Sequence, residues 1–195
     1  MATALTSTNI KSYLLGRYNQ YTEVREVKTK MLSFIPLLQS DYGKEKDCTL
    51  CSITAYVYNK TKETSPLDIY TKVEKIATKY FYNGDKYGTI PFFNKKILSE
   101  ALDKQQKVNE KYVKGLGFTF TDIQTLLDNN KPVILSINND GRNYYKNHTV
   151  TVIGYRIYCM DNKKNLGMLA VYDNWTKAVR YIDYKAMSNI SSITF

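Results

Sequence analysis

An α+β fold, with a helical N-terminal half packed on a C-terminal antiparallel sheet, is predicted for this chain of 195 residues. Three observations carry the prediction. Between Cys48 and Leu127, apolar residues recur at helical spacing. From Pro132 onward the chain turns to short runs rich in Val, Ile, Thr and Tyr, separated by turn residues. With 43% hydrophobic and 24% charged residues, the composition is that of an ordinary globule that buries one core without staples. One domain over residues 1–195 follows, with residues 1–30 as a peripheral extension.

Residues 9–35 predict a polar, weakly helical or extended lead-in, ending in the apolar run Met31–Leu38 that Pro36 breaks. A turn-prone segment follows, Gln39-Ser-Asp-Tyr-Gly-Lys-Glu-Lys. Asp is a good N-cap, so a helix starts at Asp47 or Cys48, with Leu50, Ile53, Thr54 and Val57 at helical spacing. Ser65-Pro66 opens a second helix whose stripe is Ile69, Val73, Ile76, Ala77 and Tyr80. A third runs from about Pro91 through Ile97, Leu98 and Ala101. A fourth starts at Thr121, where Thr121 and Gln124 form a capping box ahead of Ile123, Leu126 and Leu127. Then come strands: Pro132–Ile137, the loop Asn138–Asn147, and Thr149–Tyr158. Asp161–Asn165 forms a hairpin turn into Leu169–Asp173, and Arg180–Asp183 and Ile193–Phe195 are further strand pieces.

Charge narrows the partners without choosing one. Twenty-eight Lys+Arg against 18 Asp+Glu give +10, which suits an anionic partner. Only five of the basic residues are arginine, however, and the lysines are scattered. Nucleic-acid binders concentrate arginine for bidentate contacts, so that class is set aside. No apolar run reaches the roughly 18–20 residues of a membrane span. The first residues lack a charged and an apolar region, which predicts no signal peptide in this chain. Three cysteines, an odd number, argue against a disulfide framework.

The chemistry converges on the single histidine, His148. A thiol nucleophile needs a lowered pKa, which a helix start supplies, together with a base in reach and an acceptor that fixes the base's tautomer. Cys48 stands at the predicted helix start, His148 at the start of a strand, and Asp173 at the end of the next strand. Strands joined by a hairpin bring such residues side by side. Gln39, nine residues before Cys48, offers an amide to an oxyanion. Such a site uses no cofactor and no metal, and peptide or protein is its default substrate.

Three blocks of this sequence resemble those of papain-like cysteine peptidases. They are Asp47-Cys-Thr-Leu-Cys-Ser-Ile-Thr, Asn147-His-Thr-Val-Thr-Val-Ile-Gly-Tyr and Val171-Tyr-Asp-Asn-Trp. The nearest resemblance is to the bacterial family of double-glycine (bacteriocin leader) peptidases, over about Pro36–Tyr184. It implies a papain-like fold with Cys48 as nucleophile, His148 as base, Asp173 as its orienting acceptor and Gln39 at the oxyanion. The departures are Cys48-Thr49-Leu50 where that family commonly has Cys-Gly-Pro, a 25-residue interval from His148 to Asp173, and a loosely spaced Gln39. Asn174, before Trp175, stands as an alternative third member.

Other chemistries use the same residues. Cys48 and Cys51 form a Cys-x-x-Cys pair suited to redox work, and with His148 and Cys159 they make up a Cys₃His zinc set. A transferase on the same triad and a non-catalytic binding module of the same fold are the two alternative functions. Cys51 is expected in the core, and Cys159 on a strand without a chemical role.

Overall fold

The computed structural model describes residues 4–42, 45–61, 65–84, 86–104, 107–111, 119–137, 144–187 and 190–194. Residues 138–143 of the predicted loop Asn138–Asn147, residues 43–44 of the turn segment and Phe195 of the last strand lie outside them. Helices and an antiparallel sheet divide the chain as the sequence predicts. The helices are α1 (Ile10–Arg17), α2 (Cys48–Thr61), α3 (Pro66–Thr78), α4 (Asn94–Ala101) and α5 (Phe120–Asp128). The strands are β1 (Val24–Met31), β2 (Glu110–Lys111), β3 (Val133–Ile137), β4 (His148–Met160), β5 (Lys164–Tyr172), β6 (Arg180–Asp183) and β7 (Ile190–Thr194).

The helices begin where local chemistry allows. Ser65 caps α3, its hydroxyl accepting from the Leu67 N–H, and Pro66 sits at the first helical position, where its missing N–H costs nothing. A one-turn 3₁₀ helix over Pro91–Phe93 precedes α4, so the α-helix proper starts three residues later than predicted. At α5 the capping box is Thr119 with Asp122, two residues earlier than the predicted Thr121 and Gln124. Asp122 Oδ2 accepts from the Thr119 N–H at 2.6 Å and Thr119 Oγ1 from the Asp122 N–H at 3.3 Å. That reciprocal pair satisfies two otherwise unpaired donors two residues earlier. The Thr121 carbonyl, already inside the helix, accepts from the Thr125 hydroxyl.

β4 organises the sheet. Its first half pairs with β3 (Ile137 opposite His148, Val133 opposite Val152), and its second half pairs on the same edge with β1 (Met31 opposite Gly154). β5 runs along the other edge of β4 and carries β6, while β7 and β2 extend the sheet beyond β3. β1 lies over Gly154 so closely that a Cβ there would meet the Lys30 carbonyl oxygen at 2.3 Å. Only glycine permits that approach.

Side-chain alternation then assigns the two faces. Val133, Leu135 and Ile137 of β3, with Val150 and Val152 of β4, join Ile123 and Leu127 of α5 in one buried cluster. From the opposite face Ile134 packs into the helical half with Leu50, Ile53, Val73, Ile97 and Leu98. Thr149 and Thr151 interleave with those valines and are buried too. A third cluster joins Ile10 and Leu14 of α1 to Tyr158, Met168 and Tyr181 of the sheet. Cys48, at the start of α2, and His148, at the start of β4, therefore fall on the seam between α2 and the sheet.

Candidate active site

Cys48 is the first residue of α2, where helical N–H groups lack partners and the dipole favours an anion. The preceding residue, Asp47, is wholly buried, and its carboxylate accepts from the Tyr70 and Tyr82 hydroxyls. Tyr42 stacks on Tyr70, with centroids 4.0 Å apart. Burial first, and the bond to Asp47 second, push both tyrosine hydroxyls far above their ordinary range, so both stay donors. The start of α2 is thus pinned to α3 and to the chain beyond it. Asp47→Ala leaves two buried hydroxyls unpaired, at about 1–3 kcal/mol each. A matching loss in denaturant-unfolding free energy is the expected result.

His148 opens β4 beside Cys48. Burial pushes the Cys48 thiol up, but the hydrogen bond and charge of His148, then the backbone and side chain of Thr149, outweigh it. The thiol falls below its ordinary value. His148 Nε2 lies 2.7 Å from the backbone carbonyl oxygen of Asp173. A carbonyl only accepts, so Nε2 carries a proton and Nδ1 is left for Cys48. The rings of Trp175 and Tyr145 flank the imidazole, with centroids 4.1 and 5.4 Å away.

The Asp173 carboxylate is turned elsewhere. Its Oδ1 accepts from the Trp175 and Thr176 N–H groups at 3.1 Å each. Its Oδ2 accepts from the Tyr145 hydroxyl at 3.3 Å and lies 3.9 Å from Arg180 Nε. The side chain shapes the turn that presents the carbonyl, while the carbonyl meets the histidine.

Asn174, the alternative third member, faces the other way. Its φ of 62° is left-handed, a conformation asparagine tolerates. That turn aims Nδ2 at the Cys48 carbonyl (3.0 Å), the Ser52 hydroxyl (2.8 Å) and the Thr149 carbonyl (3.0 Å). Asn174 therefore latches α2 to β4 behind the nucleophile. Its own carbonyl accepts from the Gln39 N–H at 2.8 Å. Gln39 is buried in a one-turn 3₁₀ helix, Gln39–Asp41. Its Nε2 donates to the Glu45 carbonyl at 2.9 Å, which leaves one amide N–H for another acceptor.

A cleft of about 510 Å³ opens over this seam. Cys48, His148, Thr149 and Trp175 line it together with Tyr87, Gly88 and Pro91, and Glu45, Lys46 and Lys146 are among its charged residues. Gln39 is not part of this lining. Cys51 is buried in the helical core, where burial and then Asp47 hold its thiol well up. Cys159 stands eleven residues along β4 from His148, about 35 Å at an ordinary strand rise. It reaches neither Cys48 nor His148, which removes the four-ligand zinc set. Among the described residues no group of three or more Asp, Glu, His or Cys side chains could hold a metal ion.

Sequence reasoning passed over Thr149, Tyr145 and Asp47 as parts of the site. The signal for Thr149 is present: Thr149 and Thr151 alternate with Val150 and Val152, placing a polar stripe on the face that meets α2.

A helical half carrying a cysteine at a helix start, against an antiparallel sheet carrying a histidine, defines a papain-like α+β domain. The chain belongs to the Peptidase_C39-like family, whose model matches residues 31–192. Its fold is similar to that of a protein described as a C39-like peptidase from Bacillus anthracis. That match has 13% sequence identity and a TM-score of 0.55, and covers 86% of this chain and 97% of that one. A further match is to the peptidase domain of Streptococcus ComA, a bifunctional ABC transporter of a quorum-sensing pathway. Identity there is 15% and the TM-score 0.42, with 84% of this chain and 96% of that one covered. No curated protein matches the chain. Among the described residues no helix is long and apolar enough to cross a membrane.

Proposed function

We propose that this chain is a cysteine peptidase that hydrolyses peptide or isopeptide bonds through Cys48, His148 and Asp173. One observation carries the reading: Cys48 at the start of α2 and His148 at the start of β4 line the same cleft, and the imidazole Nε2 is held 2.7 Å from the Asp173 carbonyl oxygen. A thiol, a base and an acceptor that orients the base are the parts that such acyl-transfer chemistry needs. The Cys48 thiolate attacks the substrate carbonyl carbon, and His148 gives its proton to the leaving amine. Water, deprotonated by His148, then hydrolyses the thioester and frees Cys48. The Cys48 N–H at the helix start and the remaining amide N–H of Gln39 hold the oxyanion at both steps.

Gln39→Ala should lower turnover about 10²–10³-fold while leaving iodoacetamide labelling of Cys48 nearly unchanged, because the donor acts only once an oxyanion forms. Single-turnover rates beside labelling rates check this. The reading as a whole is tested by incubating the protein with a diverse peptide mixture and identifying new termini by mass spectrometry. Cleavage products absent with Cys48→Ala support it. Products equal in both proteins contradict it, and incorporation of an added amine without hydrolysis would make the enzyme a transferase.

A further inference from the structure

A second cavity, of about 320 Å³, shares no lining residue with the cleft over Cys48 and His148. It sits at the far end of the same elements. Asn59 and Lys60, which line it, are in the last turn of α2, about 17 Å of helix rise from Cys48. Pro132 lines it just before β3, whose other end, Ile137, pairs with His148. Its volume is that of a pocket for one small molecule.

The walls are fixed by two asparagines. Asn59 Oδ1 accepts from the Ile35 N–H at 2.7 Å, and its Nδ2 donates to the Ile35 and Ala55 carbonyls at 2.8 Å each. The segment after β1 is thereby tied to α2. Asn130, left-handed at a φ of 56°, accepts from Lys30 Nζ at 3.2 Å, which ties the turn after α5 to β1.

The polar groups left over are donors. Ser33, Tyr56, Lys60 and Lys131 line the cavity, and their side chains have no hydrogen-bond or ion-pair partner among the described residues. No acidic residue is among the described lining. Tyr56 stands out, since it is only 8% exposed and packs in the helical core, yet its hydroxyl bonds to nothing there. Buried hydroxyls are seldom left so. The carbonyl end of α2 would repel an anion, but Asn59 and the Thr61 hydroxyl already cover the Ala55 and Val57 carbonyls. Met31, Phe34 and Pro132 add an apolar wall, with Met31 40% exposed.

We propose that this cavity binds a phosphate monoester with an aromatic or short apolar arm: Lys60 and Lys131 hold the phosphate, the Tyr56 and Ser33 hydroxyls donate beside them, and the arm lies on Met31, Phe34 and Pro132. Two ammonium groups match a dianion, a charge that a carboxylate does not carry. The three phosphate oxygens meet donors that arrive from three separate segments of the chain. The site is independent of the peptidase reading and stands or falls without it.

Isothermal titration calorimetry with phenyl phosphate tests this on wild type, Lys60→Ala, Lys131→Ala, Tyr56→Phe and Lys146→Ala. Wild type should bind one equivalent, and each of the first three variants should bind about tenfold more weakly, the worth of one hydrogen bond to a charged group. Lys146→Ala removes the same charge at the active-site cleft and should bind like wild type, which separates a site from general attraction to a basic chain. Inorganic phosphate should bind wild type about tenfold more weakly than phenyl phosphate, because it leaves the apolar wall uncovered. Lys60 and Lys131 are exposed and Tyr56→Phe keeps the ring, so the variants should fold. No saturable binding in the millimolar range overturns the proposal. So does binding unchanged in Lys60→Ala and Lys131→Ala, an equal loss in Lys146→Ala, or equal affinity for inorganic phosphate.

Discussion

Cys48→Ala is expected to abolish peptide hydrolysis, a loss of about 10⁴-fold or more, while leaving the fold intact. The size follows from the division of labour. In the proposed mechanism Cys48 supplies the bond to the substrate carbon, and neither of the other two thiols is placed to take over. Cys51 lies one turn along the same helix, fully buried, with its thiol held up by burial and Asp47. Cys159 is at the far end of β4. The fold should survive because the contacts around residue 48 that tie α2 to β4 are made by its carbonyl, which accepts from Asn174, and by Thr49 and Ser52. Alanine keeps all of these, and the Asp47 carbonyl still accepts from the N–H of residue 51 at 2.8 Å. Substrate turnover beside a thermal melt checks both halves of the expectation.

His148→Ala is expected to cost a similar factor in turnover and also to slow alkylation of Cys48. The two losses have different causes. Turnover stops because the leaving amine has no proton donor and the thioester water no base. Alkylation slows because the histidine is what chiefly opposes burial in holding the Cys48 thiol below its ordinary value. The variant's alkylation rate should therefore rise with pH through a higher midpoint than wild type shows. Asn174→Ala serves as the contrast. It removes the latch on the Cys48 and Thr149 carbonyls without touching the imidazole, so its loss belongs to stability before rate.

Much of this site is legible in the sequence because the signals are local. An Asp-Cys step ahead of Leu50, Ile53 and Val57 marks a helix start, and the run from His148 to Tyr158 marks a strand with a hairpin after it. The structure places α2 at Cys48, β4 at His148 and the end of β5 one residue before Asp173. The lead-in is harder to resolve. β1 alternates poorly because most of its side chains are exposed, and α1 buries only Ile10 and Leu14. Their partners, β4 and the Tyr158 cluster, are more than a hundred residues away.

What a sequence does not display is the backbone. His148 is oriented by a carbonyl oxygen, which every residue carries, and the Asp173 side chain acts one step removed by shaping the turn. Likewise, Asn174 earns its place through a left-handed φ that only the folded chain reveals. The Asp47 pair with Tyr70 and Tyr82 spans 23 and 35 residues, beyond the reach of any local pattern.

The account stands on Cys48 being the activated thiol of the chain. Limited alkylation of the native protein with iodoacetamide near neutral pH, followed by mass-spectrometric mapping of all three cysteines, addresses that directly. Cys48 should be modified first and stoichiometrically, with Cys51 and Cys159 unmodified over the same interval. Modification of Cys51 or Cys159 ahead of Cys48, or equally slow modification of all three, would contradict it.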